Sequence, residues 1–255
     1  MTSSPASVSD PALSRPGDLP SEPARVLSAL FGADWEVAVQ GRFLRGEGRA
    51  DGETVAVLGT CGHAAIGADL ALALAGGVLS ILRHHPGRPI LLLVDNSGQK
   101  LSRRDELLGN NSYLAHLAKC LAVARARGHR TLALVYSEAV SGGFLATGMS
   151  AGPCYALPGV ELRVMGLEAM SKVTLIPLDR LSALCRTMPT LAPGVENFVR
   201  MGVIREIWND PADGLRQALA APPEAPDRQR RLGLARGGRP AAAEVAERVR
   251  RAPGG

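Results

Sequence analysis

The sequence is poor in aromatic residues, since Phe, Trp and Tyr make up only 4% of its 255 residues. Hydrophobic residues nevertheless reach 46%, so the core must be built from Ala, Leu and Val. A chain of this length is long enough for one large domain, or two small ones, with a substantial core.

Metal-ligand and nucleotide-binding patterns are also missing. The four cysteines are scattered through apolar segments, which favours reduced thiols in a cytosolic protein: Cys61, Cys120, Cys154 and Cys185. The five histidines do not combine with carboxylates into a metal pattern. There is no P-loop, and Gly59–Gly62 has the wrong spacing for a dinucleotide-binding loop. We therefore expect neither a bound metal nor a nucleotide cofactor.

Membrane and targeting signals are missing as well. No run of about 18 apolar residues is present, so we expect no membrane span. The first residues, MTSSPASVSD, lack the basic and apolar regions of a signal peptide. Together with the cysteine usage, this predicts a cytoplasmic protein.

The net charge of +5 is concentrated at the carboxyl end. Residues 221–255 hold eight arginines against four acidic residues, so the rest of the chain is close to neutral. This segment has no aromatic residues and is rich in Ala, Pro and Gly, which favours a solvated tail over a nucleic-acid contact. We predict a disordered extension over 1–23, one folded domain over 24–210 and a flexible tail over 211–255.

Within the domain, apolar strand segments alternate with helical ones. We predict strands at Trp35–Leu44, Glu53–Leu58, Ile90–Asp95 and Thr131–Tyr136, and helices at Ala64–Leu82 and Tyr113–Arg127. This alternation predicts an α/β fold with right-handed crossovers. Ligands of such folds usually bind at the carboxyl ends of the strands, where the loops Asn96–Leu101 and Ser141–Gly143 fall.

The segment Thr131–Gly152 is the centre of the prediction. Ser141, Gly142 and Gly143 stand where a strand-to-helix connection places a helix N-terminus, with unpaired backbone N–H groups and a positive dipole end. These amides could hold an oxygen that becomes negative during a reaction, and glycine allows a close approach. The alternative is that Gly-Gly only forms a tight turn. Ser141 does not lie in a G-x-S-x-G elbow, so we interpret it as a helix N-cap.

His63 is the one histidine placed for a site role. It follows a glycine-rich strand end and opens a helix, a placement that a general acid–base requires. Glu138 is the only obvious carboxylate near the glycine loop, and we interpret it as a surface loop residue.

The segment from Val94 through Lys172, with its motifs SRRDELLG and EAVSGGFL, closely resembles the gamma subunit of biotin-independent malonate decarboxylase. The likeness includes the upstream GHAAIGADLALALA and continues to about Trp208. The amino-terminal extension and the arginine-rich tail lie outside it.

The resemblance implies a crotonase/ClpP-like fold of repeated ββα units, similar to the carboxyl-terminal half of a biotin-dependent carboxyltransferase. It also implies a beta subunit as partner, in a heterodimer or a heterotetramer, and an acyl-carrier subunit. The complex would decarboxylate malonyl-S-acyl-carrier protein to the acetyl thioester and CO2. The substrate would be held on the carrier's prosthetic group, with no biotin and no metal bound to this chain.

For the site, the resemblance implies two loops, Asp95–Gly98 and the Gly-Gly loop. Backbone amides of Gly98, Gly142 and Gly143 would hold the enolate oxygen, and His63 or a water would protonate the enolate. Asn96 and Ser97 replace the Val-Pro that is usual in biotin-dependent enzymes, which fits a loss of biotin. The residues expected to contact substrate are Asn96, Ser97, Gln99 and Ser141.

Two alternatives remain open at the level of sequence. The chain could be a non-catalytic partner that completes the beta subunit's site and docks the carrier. It could instead be a free-standing crotonase-type hydratase or thioesterase, which would need an acidic catalytic pair near the glycine loop.

Overall fold

The computed structural model describes residues 19–188, 192–222, 228–238 and 240–252. The strands in these ranges are β1 Trp35–Gln40, β2 Phe43–Ala50, β3 Glu53–Thr60, β4 Ala64–Ile66, β5 Ile90–Gln99, β6 Thr131–Val140, β7 Cys154–Ala156, β8 Glu161–Arg163 and β9 Ile204–Ile207. The helices are α1 Ser21–Phe31, α2 Ala68–His84, α3 Arg103–Leu107, α4 Asn110–Ala126, α5 Ser141–Phe144, α6 Leu167–Thr174, α7 Leu178–Cys185, α8 Val195–Arg200, α9 Pro211–Ala220, α10 Arg228–Ala235 and α11 Pro240–Arg251. A π-helical turn, Leu145–Met149, continues α5.

One sheet organises the molecule, with the strand order β1-β2-β3-β5-β6-β7-β9. The first three strands are antiparallel, and the remaining pairs along this order are parallel. Strands β5 and β6 continue past the main sheet, where β4 pairs with the end of β5 and β8 with the end of β6. The predicted α/β architecture is confirmed. Its two longest strands are β5 and β6, which carry the predicted site loops at their carboxyl ends.

Both faces of the sheet are buried under helices. Ile90, Leu92 and Val94 of β5 pack in a core with α2 and α4. Leu91 and Leu93 point the other way, into a second core with α1 and α9. Because successive side chains of a strand alternate between faces, a strand buried on both sides reads as an unbroken apolar run.

Several predicted boundaries differ from the structure. The segment Trp35–Leu44 turns at Gly41 into the hairpin β1–β2 instead of forming one strand. The predicted helix Ala64–Leu82 begins as strand β4, and α2 starts only at Ala68. Most of the predicted loop Asn96–Leu101 is the continuation of β5.

The prediction of a flexible segment beyond Asp210 is wrong for the part of the chain that the structure describes. Helix α9 buries Leu215 and packs in the same core as α1. In α10, Gly233 lies against the backbone of Met201. The Arg236 guanidinium donates hydrogen bonds to three backbone carbonyls: those of Val199 at 2.9 Å, Ile204 at 3.0 Å and Arg205 at 2.9 Å.

At the amino end, α1 begins at Ser21, three residues before the predicted domain boundary. The rest of the predicted extension, residues 1–18, lies outside the described residues. None of the helices in the described ranges is long and apolar enough to cross a membrane.

Candidate active site

The candidate site lies where β5 and β6 end. The segment after β5 is fixed by Ser102, whose hydroxyl accepts the Asp105 N–H at 3.1 Å, as the predicted capping box requires. The buried Asp105 carboxylate also accepts the Ala68 N–H at 2.9 Å, so it caps α2 as well. The Ser102 hydroxyl also donates to Asp105 Oδ2 at 2.5 Å, and this bond together with that from the Ala68 N–H holds the pKa of Asp105 below its usual value. The motif SRRDELLG therefore ties the end of β5 to the start of α2.

The end of β5 packs tightly on the glycine loop. Gly98 has φ +104°, a conformation that side chains other than glycine rarely adopt. A Cβ on Gly143 would lie 2.6 Å from Asn96 Oδ1 and 2.8 Å from the carbonyl carbon of Gly98. Asn96 is fully buried and its amide group faces Thr147, 3.4 Å away. Gly143 and Asn96 are therefore part of the packing that supports the loop.

Gly142 has a different environment, because its N–H donates to the side-chain oxygen of Gln99 at 3.0 Å. Gln99 is exposed, as expected for a residue that could meet a substrate. The Gly142 N–H that the sequence suggests as a donor is therefore already hydrogen-bonded, to the Gln99 side chain of the same chain.

Ser141 is not the N-cap that we predicted. It is the first residue of α5, and its hydroxyl donates to the carbonyl oxygen of Val164, just after β8. Its φ of +47° is unusual for a residue with a side chain and costs roughly 1–2 kcal/mol. Such strain is commonly found at functional sites.

His63 forms a second group, in which its ring contacts two carboxylates. Its Nδ1 lies 3.3 Å from Asp95 Oδ1 and 3.2 Å from Glu138 Oε2. Its backbone is held as well, because the His63 N–H donates to Asp95 Oδ2 at 2.8 Å and its carbonyl accepts the Ser97 hydroxyl at 3.0 Å. His63 also has a positive φ, +54°, while 59% of its side chain stays exposed.

The interpretation of Glu138 as a surface loop residue is wrong. Glu138 lies inside β6, and only 12% of its side chain is exposed. Its second oxygen, Oε1, is paired with the Arg163 guanidinium of β8. The sequence carried a signal for this arrangement: Tyr136, Glu138 and Val140 alternate in a continuation of the β6 pattern, which places the carboxylate on one face of a strand.

Asp95 is the buried member of this group, with no exposed surface on its side chain. Burial raises the pKa of its carboxyl, and the nearby His63 N–H and ring counteract that rise. A cavity of about 610 Å³ opens beside His63, lined also by Glu22, Arg25 and Tyr136.

The structure therefore divides the predicted site residues into two groups. The first group is the glycine loop, Ser141–Gly143, with the residues of β5 that pack against it: Asn96, Gly98 and Gln99. The second group is centred on His63, which Ser97 contacts. Asp95 and Gln99 are four residues apart on β5, a rise of about 13 Å along a strand. Strand β8 links the groups, since Arg163 holds Glu138 and the next residue, Val164, accepts from Ser141. Among the described residues, no cluster of three His, Cys, Asp or Glu side chains could hold a metal ion.

Comparison with known proteins identifies the family. The profile of the malonate decarboxylase gamma subunit, MdcE, matches residues 61–252, about three quarters of the chain. The chain belongs to this family. The match reaches residue 252, so the helices beyond Asp210 are part of the family region and not an appendage to it.

A relative from Malonomonas rubra is the malonyl-S-ACP:biotin-protein carboxyltransferase MADD, which is 33% identical over 135 residues. That match covers 52% of this chain and 46% of MADD, so the chain matches about half of the length of this relative.

Solved structures of the family share the fold. The chain is 27% identical to a chain of a Pseudomonas malonate decarboxylase hetero-tetramer in complex with coenzyme A, with a TM-score of 0.72, covering 88% of this chain and 96% of that one. It matches the Pseudomonas MdcD-MdcE hetero-dimer with the same identity and coverage and a TM-score of 0.67. The transcarboxylase 12S subunit, 18% identical, has a TM-score of 0.61 over 79% of this chain and 43% of its own. The predicted crotonase-type, carboxyltransferase-like fold is confirmed.

Proposed function

We propose that this chain is the gamma subunit of a malonate decarboxylase that acts with a beta subunit on malonyl-S-acyl-carrier protein. The products are acetyl-S-acyl-carrier protein and CO2. The observation that carries the proposal is the Gly142 N–H at the carboxyl end of β6, in a chain of this family, with an exposed acceptor as its present partner.

The chemistry requires a donor of this kind. When the bond between the carboxylate carbon and the methylene carbon breaks, its electron pair moves into the thioester and leaves an enolate oxygen with negative charge. A backbone N–H that meets this oxygen is worth roughly 3–4 kcal/mol of the barrier, because the hydrogen bond strengthens as the charge develops. The enolate then takes a proton at carbon, and His63 is the residue of this chain that we assign to that step.

Gln99 explains why we expect no activity from the chain alone. Its side-chain oxygen satisfies the Gly142 N–H, so a thioester oxygen must displace it before it can use the donor. Because the Gln99 side chain is exposed and, in the residues that the structure describes, its oxygen accepts only this one hydrogen bond, a partner or a carrier-bound substrate needs to break only that bond to move it. Asn96, Ser97, Gln99 and Ser141 stay in the proposal as the residues around the substrate, with Asn96 acting from beneath the loop.

We assign the partner surface to the segments that follow β5 and α6. Leu101 and Leu107 follow β5 and are 80% and 79% exposed, and Leu175 follows α6 and is 87% exposed. Large apolar side chains at this exposure favour burial in a partner. The Pseudomonas hetero-dimer and hetero-tetramer support a beta subunit as the occupant.

The fate of the carboxyl group separates two candidate functions. The Malonomonas rubra relative is named as a carboxyltransferase to a biotin protein, so transfer to biotin is the second candidate. We favour release of CO2, because the family profile is that of malonate decarboxylase. In this proposal the thioester is carried by the prosthetic group of the acyl carrier, the chain binds neither biotin nor metal, and the complex works in the cytoplasm.

The test compares this chain with and without its beta subunit. Both samples receive malonyl-S-acyl-carrier protein carrying a ¹⁴C-labelled free carboxyl group, and each is repeated with a biotinylated carrier domain. We expect labelled CO2 only when both subunits are present, with no label on biotin. Labelled biotin would select the transferase, and release from this chain alone would indicate a self-contained crotonase-type site. A stable complex that releases no label in either form would overturn the proposal.

A further inference from the structure

The most informative cluster outside the glycine loop is the contact of His63 with two carboxylates. Nδ1 of its ring lies between Asp95 Oδ1 and Glu138 Oε2, at 3.3 and 3.2 Å. Asp95 Oδ1 is buried and has no hydrogen-bond partner within the described part of the chain, so the imidazole is the polar group it faces. The three side chains come from three different elements. His63 lies in the loop before β4, Asp95 in β5 and Glu138 in β6.

Glu138 decides where the proton of the neutral imidazole lies. Its Oε1 is paired with the Arg163 guanidinium, which orients the carboxylate so that Oε2 faces the ring. An ionised carboxylate only accepts hydrogen bonds, so its Oε2 favours a proton on His63 Nδ1. Nε2 then carries the lone pair in the neutral ring and is the atom that gains and loses a proton.

The surroundings of the ring leave it accessible. More than half of the His63 side chain is exposed, beside the cavity of about 610 Å³. The other charged or titratable side chains that line this cavity are Glu22, Arg25, Tyr136 and Glu161. The Tyr136 hydroxyl donates its proton to the Thr60 carbonyl at 2.8 Å, a buried hydrogen bond to the backbone.

The backbone of His63 is also held in a fixed position. His63 adopts a positive φ, and its N–H and C=O are each hydrogen-bonded, to Asp95 and to Ser97. A residue whose backbone is held in a strained conformation by two side chains of one strand, β5, is fixed in place more firmly than a solvent-exposed histidine needs to be.

We propose that Glu138, oriented by Arg163, is a positioning residue that fixes His63 as the Nδ1–H tautomer and presents Nε2 to the substrate. This inference rests on the proposed function, because it specifies how the enolate receives its proton. The proton moves from Nε2 of the imidazolium to the enolate carbon, which forms a C–H bond and leaves the neutral Nδ1–H ring. Solvent in the cavity then returns a proton to Nε2.

The test reads the tautomer directly and then the rate. The full chain, labelled with ¹⁵N-histidine, is examined by long-range ¹H–¹⁵N NMR alone and with the beta subunit, and His63→Gln assigns the signal. We compare the wild type with Glu138→Gln. The matched control is Glu161→Gln, because Glu161 pairs with the same Arg163 and lies opposite Glu138 in the β6–β8 register, but its side chain is 71% exposed.

We expect the Nδ1–H form to dominate in the wild type and in Glu161→Gln, and to fall severalfold in Glu138→Gln. CO2 release by the Glu138→Gln complex should fall about 10–100-fold in kcat with KM within twofold, since an acid–base group contributes roughly 10²–10⁴-fold and Glu138 supplies only the orientation of one. The control should stay within about twofold in both.

The outcomes separate the two proposals. An unchanged tautomer in Glu138→Gln overturns the positioning role, and so does a changed tautomer with an unchanged kcat. A wild-type complex that releases no CO2 overturns the proposed function, while the tautomer comparison still decides whether Glu138 fixes the ring.

Discussion

At the scale of single residues, the two glycines of the loop have different roles. A Cβ on Gly142 would meet the end of the Gln99 side chain, at 3.0 Å from its oxygen, and that side chain can move. A Cβ on Gly143 would instead meet the backbone of Gly98 at 2.8 and 2.9 Å, and a backbone cannot yield in this way. Only Gly142 can be changed to test the donor without disturbing the fold.

We therefore predict that Gly142→Ala lowers kcat of the heterodimer by about 100-fold, because the variant keeps the N–H but places a Cβ where the thioester oxygen must approach it, and loss of an oxyanion donor costs roughly 10²–10³-fold. The free energy of unfolding should change little. Gly76→Ala is the matched control, because a Cβ there meets nothing within 4 Å. CO2 release and urea unfolding are measured on each variant, and a normal rate in folded Gly142→Ala would remove this amide from the mechanism.

Asp95 gives a prediction about pH. Burial raises the pKa of its carboxyl above the usual 3.8, so the native state holds this proton more tightly than the unfolded chain does. The protonated carboxyl of Asp95 therefore contributes its full stabilisation below pH 3.8. That stabilisation is lost as the pH rises through the raised pKa of the native state. Asp95→Asn removes the charge but keeps an oxygen for the His63 N–H. We expect this variant to be more stable than the wild type at neutral pH, with the difference vanishing at about pH 4 or below.

Urea unfolding at the two pH values measures this effect. Asp69→Asn is the control of opposite sign, because the hydrogen bond from Arg104 holds the pKa of Asp69 below its usual value. Its removal should not stabilise the protein at neutral pH. If Asp95→Asn is the less stable protein at neutral pH, the carboxylate is stabilised by its neighbours more than burial penalises it.

At the scale of elements, helix α2 shows how closely the layers pack. Gly76 and Gly77 are adjacent, but Gly77 faces the sheet, where a Cβ would lie 2.8 Å from Leu58 Cδ2. Gly76→Ala should stabilise the protein by about 0.5–1 kcal/mol through helix propensity alone. Gly77→Ala should destabilise it by about 1–3 kcal/mol through overpacking. Urea unfolding of the pair checks this, and equal effects would show that α2 can move away from the sheet.

The elements also show which parts of the fold could be predicted from the sequence. Ile90–Val94 was recognised as a strand because both of its faces are apolar, and burial on both sides leaves that pattern. Its continuation through Asn96–Gln99 is predicted as a loop, because the polar residues there serve the site and not the core. The prediction for Glu138 is wrong for the same reason. The apolar run stops at Tyr136, so the predicted strand ends there, whereas β6 continues to Val140.

The site was predictable where it depends on local sequence and not where it depends on distant contacts. Gly142 and His63 could be proposed from the loops in which they stand. The contacts of His63 with Asp95 and Glu138 join residues 32 and 75 positions away, and no short-range pattern records them. Likewise, the Gln99 oxygen on the Gly142 N–H depends on how β5 and β6 end side by side.

At the scale of the whole molecule, the exposed leucines that follow β5 and α6 predict where the beta subunit binds: Leu101, Leu107 and Leu175. Leu107→Asp places a charge on a side chain that is 79% exposed in this chain. If the partner covers it, the dissociation constant of the heterodimer should rise at least tenfold, because a buried unpaired charge is costly. Leu79→Asp is the control, since Leu79 lies on α2 and is 44% exposed. Binding is measured by calorimetry, and equal affinities for the two variants would place the interface elsewhere.

The carboxyl-terminal helices give the last prediction. The Pro, Ala and Arg content of residues 211–255 predicts a flexible tail, but composition does not show that one arginine can anchor a helix. Arg236 donates to three carbonyls around α8 and β9, and hydrogen bonds from a charged group are worth about 1.5–3 kcal/mol each. Helix α10 is therefore held to the domain at this point, at the Gly233–Met201 contact and at Gly202, which lies against the backbone of Gln229 and Gly233.

Arg236→Ala should release α10 and α11 while both cores stay folded, because local segments open independently of the global transition. Trypsin cleavage at Arg230 and Arg231 in the native protein should then accelerate roughly tenfold or more, with the urea midpoint of the domain nearly unchanged. Arg248→Ala is the control, since the contact of Arg248 within the described part of the chain is an exposed pair with Glu244, four residues away on α11. Equal cleavage rates in the two variants would mean that other contacts hold the helix, whereas loss of the whole domain in Arg236→Ala would make α10 part of its cooperative core.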